Sequence, residues 1–271
     1  MLNSFFIFNM RYGITELSIV PLRVENKEQS EQVSQILFGE TFEILEEKGV
    51  WYKVLTSLDN YEGWIDIKLA TEISESTFSL INQSPKHITK DIVTILFKNK
   101  ETAPILIPAG STIPSYNYET KSFFIGENIY KVNTNISETS SNELRKNIIN
   151  SAIQFLNSPY LWGGKTNFGI DCSGFSQVVL KINGINIPRD ASQQVNIGNT
   201  VNIIHDVKPG DLAFFDNDDG NIIHVGIFID ENRIIHASGK VRIDKIDHQG
   251  VYNQDIGKYT HTLRVIQNII D

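Results

Sequence analysis

Cysteine is almost missing from this chain: of 271 residues, only Cys172 carries a thiol. An internal disulfide is therefore excluded, and the composition fits a reducing compartment. No stretch is long and apolar enough to span a bilayer. Basic residues are outnumbered, with 24 Lys and Arg against 32 Asp and Glu. The net charge of −8, with no basic block to offset it, argues against a general nucleic-acid binder. Phe5, Phe6, Ile7 and Phe8 form a short apolar run, but no basic residue precedes it and no small-residue cleavage site follows. A secretory signal is thus poorly supported, and no N-terminal cysteine exists to carry a lipid. Met10 fits a natural start, since regular patterning begins after it. A cytoplasmic protein is the expectation, and a different start would leave export or the periplasm open. What is present is 41% hydrophobic residues, enough for real cores and against global disorder, in a length that allows one to three domains.

The single cysteine has a particular setting, YLWGGKTNFGIDCSGF from Tyr160 to Phe175. Phe175, Val178, Val179 and Ile182 recur at helical spacing and Gly184 follows as a stop, so Cys172 falls on the first turn of a helix. Unpaired N–H groups and the macrodipole at such a position lower a thiol's pKa, and the thiolate is the nucleophilic form. Cys172 is therefore a candidate nucleophile, with a small buried hydrophobe as the plain alternative.

A nucleophilic cysteine works with a base. HVGIFI, the turn residues Asp230, Glu231 and Asn232, then RIIHAS predict a hairpin. If Ile229 pairs with Arg233, His224 falls opposite Ser238, one pair from His236, and both imidazoles face one side. A shift of two residues keeps that result, because side chains alternate with period two. One imidazole can take the thiol proton while the other orients it. A zinc site of Cys172, His224 and His236 is the rival, but the clustered Cys/His pairs of structural zinc are missing. His87, His205, His248 and His261 lack such context and are expected to be surface or structural.

The order Tyr-x-Trp-Gly-Gly, Asp-Cys-Ser-Gly-Phe, His-Val-Gly, His-Ala-Ser, over Tyr160 to Ser238, resembles the NlpC-type cysteine peptidases of bacterial cell-wall metabolism, which have a papain-like fold. The resemblance implies that Cys172 is the nucleophile, His224 the general base and His236 the orienting third member. It implies that Tyr160 donates its hydroxyl near the oxyanion beside the Cys172 N–H, with simple packing against Trp162 in the loop as the plain alternative. Asp190 would hold a substrate amine, with Asp171 and Ser173 also in the substrate site, although Asp171 and Asp190 could each be only a helix cap.

Leu17, Ile19 and Leu22, then FEILEE, WYKVLT and GWIDI, predict short strands divided by turn signals at Gly39-Glu40, Lys48-Gly49 and Asp59-Asn60. A weaker copy follows: Gly110-Ser111-Thr112 echoes Gly39-Glu40-Thr41, and Tyr130-Lys131-Val132 echoes Tyr52-Lys53-Val54. The segment resembles the bacterial SH3-like modules that precede NlpC-type catalytic domains. Trp51 and Tyr52 should point to opposite faces. By resemblance Tyr52 is the exposed one, closing one end of the cleft. A polar linker is expected at 133–142, then a helix with Ser140 and Glu143 at capping-box spacing and an apolar face from Leu144 to Leu156. Pro188-Arg189-Asp190 opens a short helix whose Gln193 completes a capping box.

The expected architecture is multidomain: two small all-β SH3-like barrels at 12–75 and 76–138, then an α+β papain-like cysteine peptidase domain at 140–271. Its sheet should be mostly antiparallel, with the Cys172 helix on the face that carries both histidines. The expected function, inherited from the resemblance, is hydrolysis of the bond between γ-D-glutamate and a diamino acid, diaminopimelate or Lys, in peptidoglycan stem peptides. Short peptides with a free N-terminal L-Ala are the expected substrates. No cofactor or metal is implied, and the partners are murein stem peptides bound by a monomer, without nucleic acid or a membrane span. An amidase or acyltransferase with the same triad, or a murein-binding protein, is the alternative.

Overall fold

The computed structural model describes residues 10–133 and 143–270. The apolar run at Phe5 to Phe8, nearly all of the expected linker and the Ser140 half of the capping box lie outside the described residues.

The first seven strands form one antiparallel sheet. They are β1 (Arg11–Ile14), β2 (Ile19–Arg23), β3 (Gln32–Leu37), β4 (Thr41–Lys48), β5 (Trp51–Thr56), β6 (Glu62–Asp66) and β7 (Thr71–Ile73), in the order β3-β2-β6-β5-β4-β1-β7. The expected turns carry left-handed residues at Gly39, Gly49 and Asn60. Val20, Leu22, Ile36, Phe42, Tyr52, Val54 and Ile65 make the core.

Here the structure corrects one expectation. Trp51 and Tyr52 are both buried, at 8% and 4% exposure. Strand β5 lies between β4 and β6, so Tyr52 enters the core. Its hydroxyl donates to Glu72 Oε1 at 2.6 Å and accepts from Arg11 at 2.7 Å. Tyr52 is thus committed to its own domain and does not wall a cleft.

The next segment holds α1 (Glu75–Gln83), β8 (Lys86–Ile88), β9 (Val93–Lys98), β10 (Ile105–Pro108), β11 (Thr112–Pro114), β12 (Ser122–Ile125) and β13 (Asn128–Val132). Its strands form a β10-β9-β13-β12 sheet and a β11-β8 pair. Gly110 is left-handed like Gly39, and Tyr130 is buried like Tyr52, so the echoed motifs occupy matching local structure. The two glycine turns also meet, with Thr112 N–H donating to Phe38 O at 2.8 Å. Phe38 packs into the second segment's core beside Leu96, Phe123 and Tyr130.

The last segment begins with α2 (Leu144–Ile153), followed by β14 (Lys165–Thr166), β15 (Gly169–Ile170), α3 (Cys172–Ile182) and α4 (Ala191–Gln194). Then come β16 (Asn199–Thr200), β17 (Leu212–Asp216), β18 (Ile222–Asp230), β19 (Arg233–Ser238), β20 (Lys240–Asp247), β21 (Gly250–Asn253) and β22 (Lys258–Asn268). Strand β22 pairs with both β17 and β21, which closes β17 through β22 on themselves, all antiparallel.

Every residue of α3 is buried. Val225, Ile227, Ile235 and Ala237 share a core with its Phe175, Val178 and Val179. The alternating partners Phe228 and Ile234 lie on the other side with Phe215 and Ile246. His224 and His236 follow that second set by alternation, and His224 sits against Phe215. The expectation that α3 packs on the histidine-bearing face is therefore wrong. The helix covers the opposite face, and its N-terminus meets β18 at the strand's backbone.

Candidate active site

Cys172 opens α3, and Asp171 caps it. Asp171 Oδ1 accepts from Gly174 N–H at 2.7 Å, the short-range bond that satisfies a first-turn donor. Its Oδ2 accepts from Gly163 N–H at 2.8 Å, which ties the aromatic-glycine loop to the helix. Gly174 is required by proximity: a Cβ there would lie 2.3 Å from Gly164 O. Gly163 is left-handed, and its Cβ would lie 2.4 Å from Gln32 O on β3.

Arg189 completes this floor. It is fully buried and donates to both Asp171 oxygens, at 3.1 and 2.6 Å, to Ser173 Oγ at 2.8 Å and to Ser34 Oγ of β3 at 3.0 Å. The bidentate geometry is the kind in which a buried guanidinium and carboxylate satisfy each other. Asp171 and Ser173 line the cleft, yet both already bond to the protein around them.

The histidines meet as the hairpin register requires. Gly226 pairs with His236 and Ile227 with Ile235, while an irregularity farther along moves Arg233 opposite Asp230 instead of Ile229. His224 Nε2 and His236 Nδ1 are 2.8 Å apart, and His236 Nε2 is 3.0 Å from Asp244 Oδ2. Burial opposes the Asp244 charge, but His236 and Arg242 hold the carboxyl below its usual range, so it accepts only. For neutral imidazoles the proton positions follow. His236 donates through Nε2 and accepts at Nδ1, His224 donates through Nε2, and His224 Nδ1 is left with a free lone pair. Burial, then the neighbouring His236 and His261, press the His224 pKa well below 6.5, so the ring is neutral near pH 7.

The thiol departs from expectation. Burial, with the Asp171 carboxylate second, pushes Cys172 up to about 11, while the Val225 and Ser173 N–H groups and Arg189 pull the other way. Desolvation outweighs the helix terminus, because Cys172 is buried in the core beneath the cleft, among Phe175, Val225 and Ile235. The Val225 N–H facing the sulfur places it beside His224 in the chain.

A cleft of about 500 Å³ opens over Cys172, lined among others by Tyr160, Trp162, Asp190, Glu31, Tyr61 and Ile223. Burial, then Cys172 and Asp171, push the Tyr160 hydroxyl up to about 12. Asp190 is raised, chiefly by burial, and its carboxylate accepts from Tyr61 at 3.1 Å. Its backbone N–H donates to Gln193 Oε1 at 3.3 Å, as the capping box requires. Glu31 accepts from the Trp162 indole at 2.6 Å. Tyr61, from the β5–β6 turn, occupies the place expected of Tyr52.

Glu31, Tyr61, Arg189, Asp244 and His261 are the residues that sequence reasoning missed. Asp244 had a signal, an acid on the histidine face of the next strand. His261 was expected to be surface or structural, yet its ring stacks on His224 at 4.2 Å and 26°. One nitrogen from each of His224, His236 and His261 fits within 4.8 Å. A shared metal is nevertheless disfavoured: both His236 nitrogens are engaged, and stacked rings aim their in-plane lone pairs side by side.

The sequence pattern of the NlpC/P60 family matches residues 157–260, and that of the bacterial dipeptidyl-peptidase SH3 domain matches residues 22–68. The C-terminal domain belongs to the NlpC/P60 family. The chain is multidomain, with an SH3 domain before the NlpC/P60 domain. It is 29% identical over 222 residues, 75% of this chain and 71% of the other, to the gamma-D-glutamyl-L-lysine dipeptidyl-peptidase of Bacillus subtilis. It is 28% identical to dipeptidyl-peptidase 6 of Lysinibacillus sphaericus, covering 84% of this chain and 89% of that one. The crystal structure of an NlpC/P60 family protein from Bacillus cereus superposes with a TM-score of 0.79 over 96% of this chain and all of that one, at 22% identity, and so shares the fold. Among the described residues no helix is long and apolar enough to cross a membrane.

Proposed function

We propose that this chain is a cysteine peptidase that hydrolyses the γ-D-glutamyl bond to an L-diamino acid in peptidoglycan stem peptides. The observation that carries the chemistry is the His224–His236–Asp244 chain, whose neutral proton arrangement leaves a basic nitrogen on His224. His224 takes the Cys172 proton as the sulfur attacks the scissile carbonyl, and His236, backed by Asp244, supports the imidazolium that forms. The Cys172 N–H, which has no acceptor within its own helix, and the Tyr160 hydroxyl stabilise the oxyanion. His224 then protonates the leaving amine, and water releases the acyl group from sulfur.

The end of the cleft supports selection of short peptides. Asp190, Tyr61 and Glu31 form an acidic corner, and a half-buried carboxylate such as Asp190 gains from a cationic partner. A free α-amine of an N-terminal L-Ala meets that need, and the first domain blocks further chain. Tyr61 takes the walling role in place of Tyr52. The substrate bond agrees with the name of the Bacillus subtilis relative, which acts on a γ-D-glutamyl-L-lysine bond.

The finer architecture belongs to the same proposal: a second SH3-like barrel with the expected bounds 76–138, then a papain-like α+β domain expected at 140–271. The matched Gly39/Gly110 and Tyr52/Tyr130 positions support the first, and a buried nucleophile helix on an antiparallel sheet supports the second. A cytoplasmic, monomeric enzyme completes it. Mass spectrometry of L-Ala-γ-D-Glu-diaminopimelate, of its lysine analogue and of N-acetylated copies tests the whole. Release of L-Ala-γ-D-Glu from the free peptides alone is expected. Equal cleavage of the acetylated copies would remove the amine corner, and cleavage of none would remove the substrate.

A further inference from the structure

Closure of the C-terminal sheet brings a third imidazole to the base. On β22, His261 lies opposite Val251 of β21 and two residues before Leu263, which pairs with Phe215 of β17. Phe215 in turn pairs with His224. His261 thereby lies over His224, ring centroids 4.2 Å apart and planes 26° apart. It stands edge-on to His236 at 5.5 Å and 87°, and Phe215 touches both His224 and His261. Its Nδ1 is 2.9 Å from Thr260 Oγ1. It does not line the cleft, so substrate contact does not explain it.

The one hydrogen bond from His224 Nε2 to His236 fixes a single ring atom. A ring held at one point can still tilt about it, and the nitrogen that receives the thiol proton lies across the ring. A flat partner on the open face removes that freedom. We propose that His261 is a positioning residue, whose ring face holds the His224 imidazole in the orientation that presents Nδ1 to Cys172. This rests on His224 being the base of the proposed reaction.

The charge state agrees. The groups facing His261 are His224 on β18, His236 on β19 and Asp244 on β20, with uncharged Phe215 on β17. Burial, then His236, press its pKa to about 4 against the pull of Asp244, so it is neutral where His224 must accept a proton. A neutral face does not repel the imidazolium that forms on His224, whereas a protonated one would.

The test uses the full chain with His261→Phe, which keeps a flat face, and His261→Ala, which removes it, with His261→Gln as a second face-removing variant should alanine fail to fold. Two readouts are taken on variants that melt cooperatively: kcat and KM on the free tripeptide, and the rate at which iodoacetamide adds one label to Cys172 near neutral pH. His261→Ala or His261→Gln should lower kcat on the order of ten- to a hundred-fold, since small misplacements cost that much. KM should hold within about two-fold, alkylation should slow in parallel, and His261→Phe should recover most of both rates. Unchanged kcat and alkylation in the face-removing variants would overturn the assignment, as would a kcat loss that phenylalanine fails to recover. If the wild type leaves the tripeptide intact but the variants still slow alkylation and phenylalanine restores it, the positioning role stands and the substrate assignment falls.

Discussion

Replacing Asp244 with Asn is the sharpest single perturbation of the proposed relay. The amide is nearly isosteric, but it can donate as well as accept. If its NH₂ turns toward His236 Nε2, now 3.0 Å from Asp244 Oδ2, the proton order along the chain reverses. His236 then donates from Nδ1 to His224 Nε2, and the His224 proton moves to Nδ1, the nitrogen meant to receive the thiol proton. The base is lost with every heavy atom in place. General-base assistance contributes about 10²–10⁴ in rate, so kcat should fall by that factor, or roughly 2.7–5.5 kcal/mol in the barrier. KM should change little, because Asp244 does not line the cleft. The assay is kcat and KM on the free tripeptide across pH 5–9, beside ¹⁵N shifts of the histidine rings, which report which nitrogen carries the proton. Retention of kcat within three-fold, or a reversed tautomer with full activity, would refute the relay.

Other consequences follow from the same geometry. Tyr61→Phe removes the bond to Asp190 and should raise KM for the free peptide about three- to ten-fold, the value of one hydrogen bond, while Tyr52→Phe leaves KM alone and lowers the melting temperature. Burial raises the Cys172 thiol to about 11 and keeps His224 neutral below pH 6.5, so the resting pair is uncharged. Iodoacetamide labelling should therefore climb steadily with pH through the alkaline range; a plateau from pH 5 to 8 would mean a preformed thiolate–imidazolium pair. Glu40 is fully buried against Lys181 at 2.6 Å and Lys165 at 3.7 Å. Glu40→Gln should cost roughly 3–5 kcal/mol in thermal or urea unfolding, and adding Lys181→Met should recover part of it. Burial raises the Glu40 pKa but the two lysines outweigh it and hold it low, so its contribution is complete above the ordinary carboxylate range and is lost as pH falls through its folded value. An acid melt in which the Glu40→Gln and wild-type curves never converge would contradict that sign.

The parts of the site legible in the sequence are those built locally. Helix periodicity after Cys172 and Asp171 at its start lie within a few residues of one another, and the hairpin places His224 and His236 through alternation alone. What escaped depends on long-range closure. His261 reaches His224 only because β22 pairs with β17 on one side and β21 on the other. Tyr61 and Tyr52 are equally aromatic and equally near a turn; burial of β5 between two neighbours decides between them. The helix-face expectation failed because alternation fixes that two residues share a face, and not which face the helix takes. The thiol's direction failed because a helix terminus is visible in sequence, whereas the desolvation that outweighs it is supplied by packing.

Part of the surroundings of that thiol comes from the N-terminal SH3 domain, which lines the cleft with Glu31, Val33 and Tyr61 and bonds into the floor of the site. Ser34 accepts from Arg189, and Gln35 from the Lys165 N–H at 2.8 Å. Gln32 donates to the Trp162 carbonyl at 3.2 Å, and Asp59 accepts from Gln177 at 2.7 Å. Glu40 neutralises a lysine of the nucleophile helix itself. Except for the Trp162 carbonyl, which accepts, each of these catalytic-domain groups is a donor that would be left unsatisfied or uncompensated if the SH3 domain moved away, and buried charges tolerate that poorly. Separation of the two domains therefore disturbs Arg189, through it the Asp171 cap, and through the cap the first turn that carries Cys172. The proposed wall at Tyr61 and Glu31 and the contacts that hold the nucleophile helix come from the same domain, so on this proposal the selectivity of the cleft cannot be relaxed by swinging the SH3 domain aside without also loosening the helix that does the chemistry.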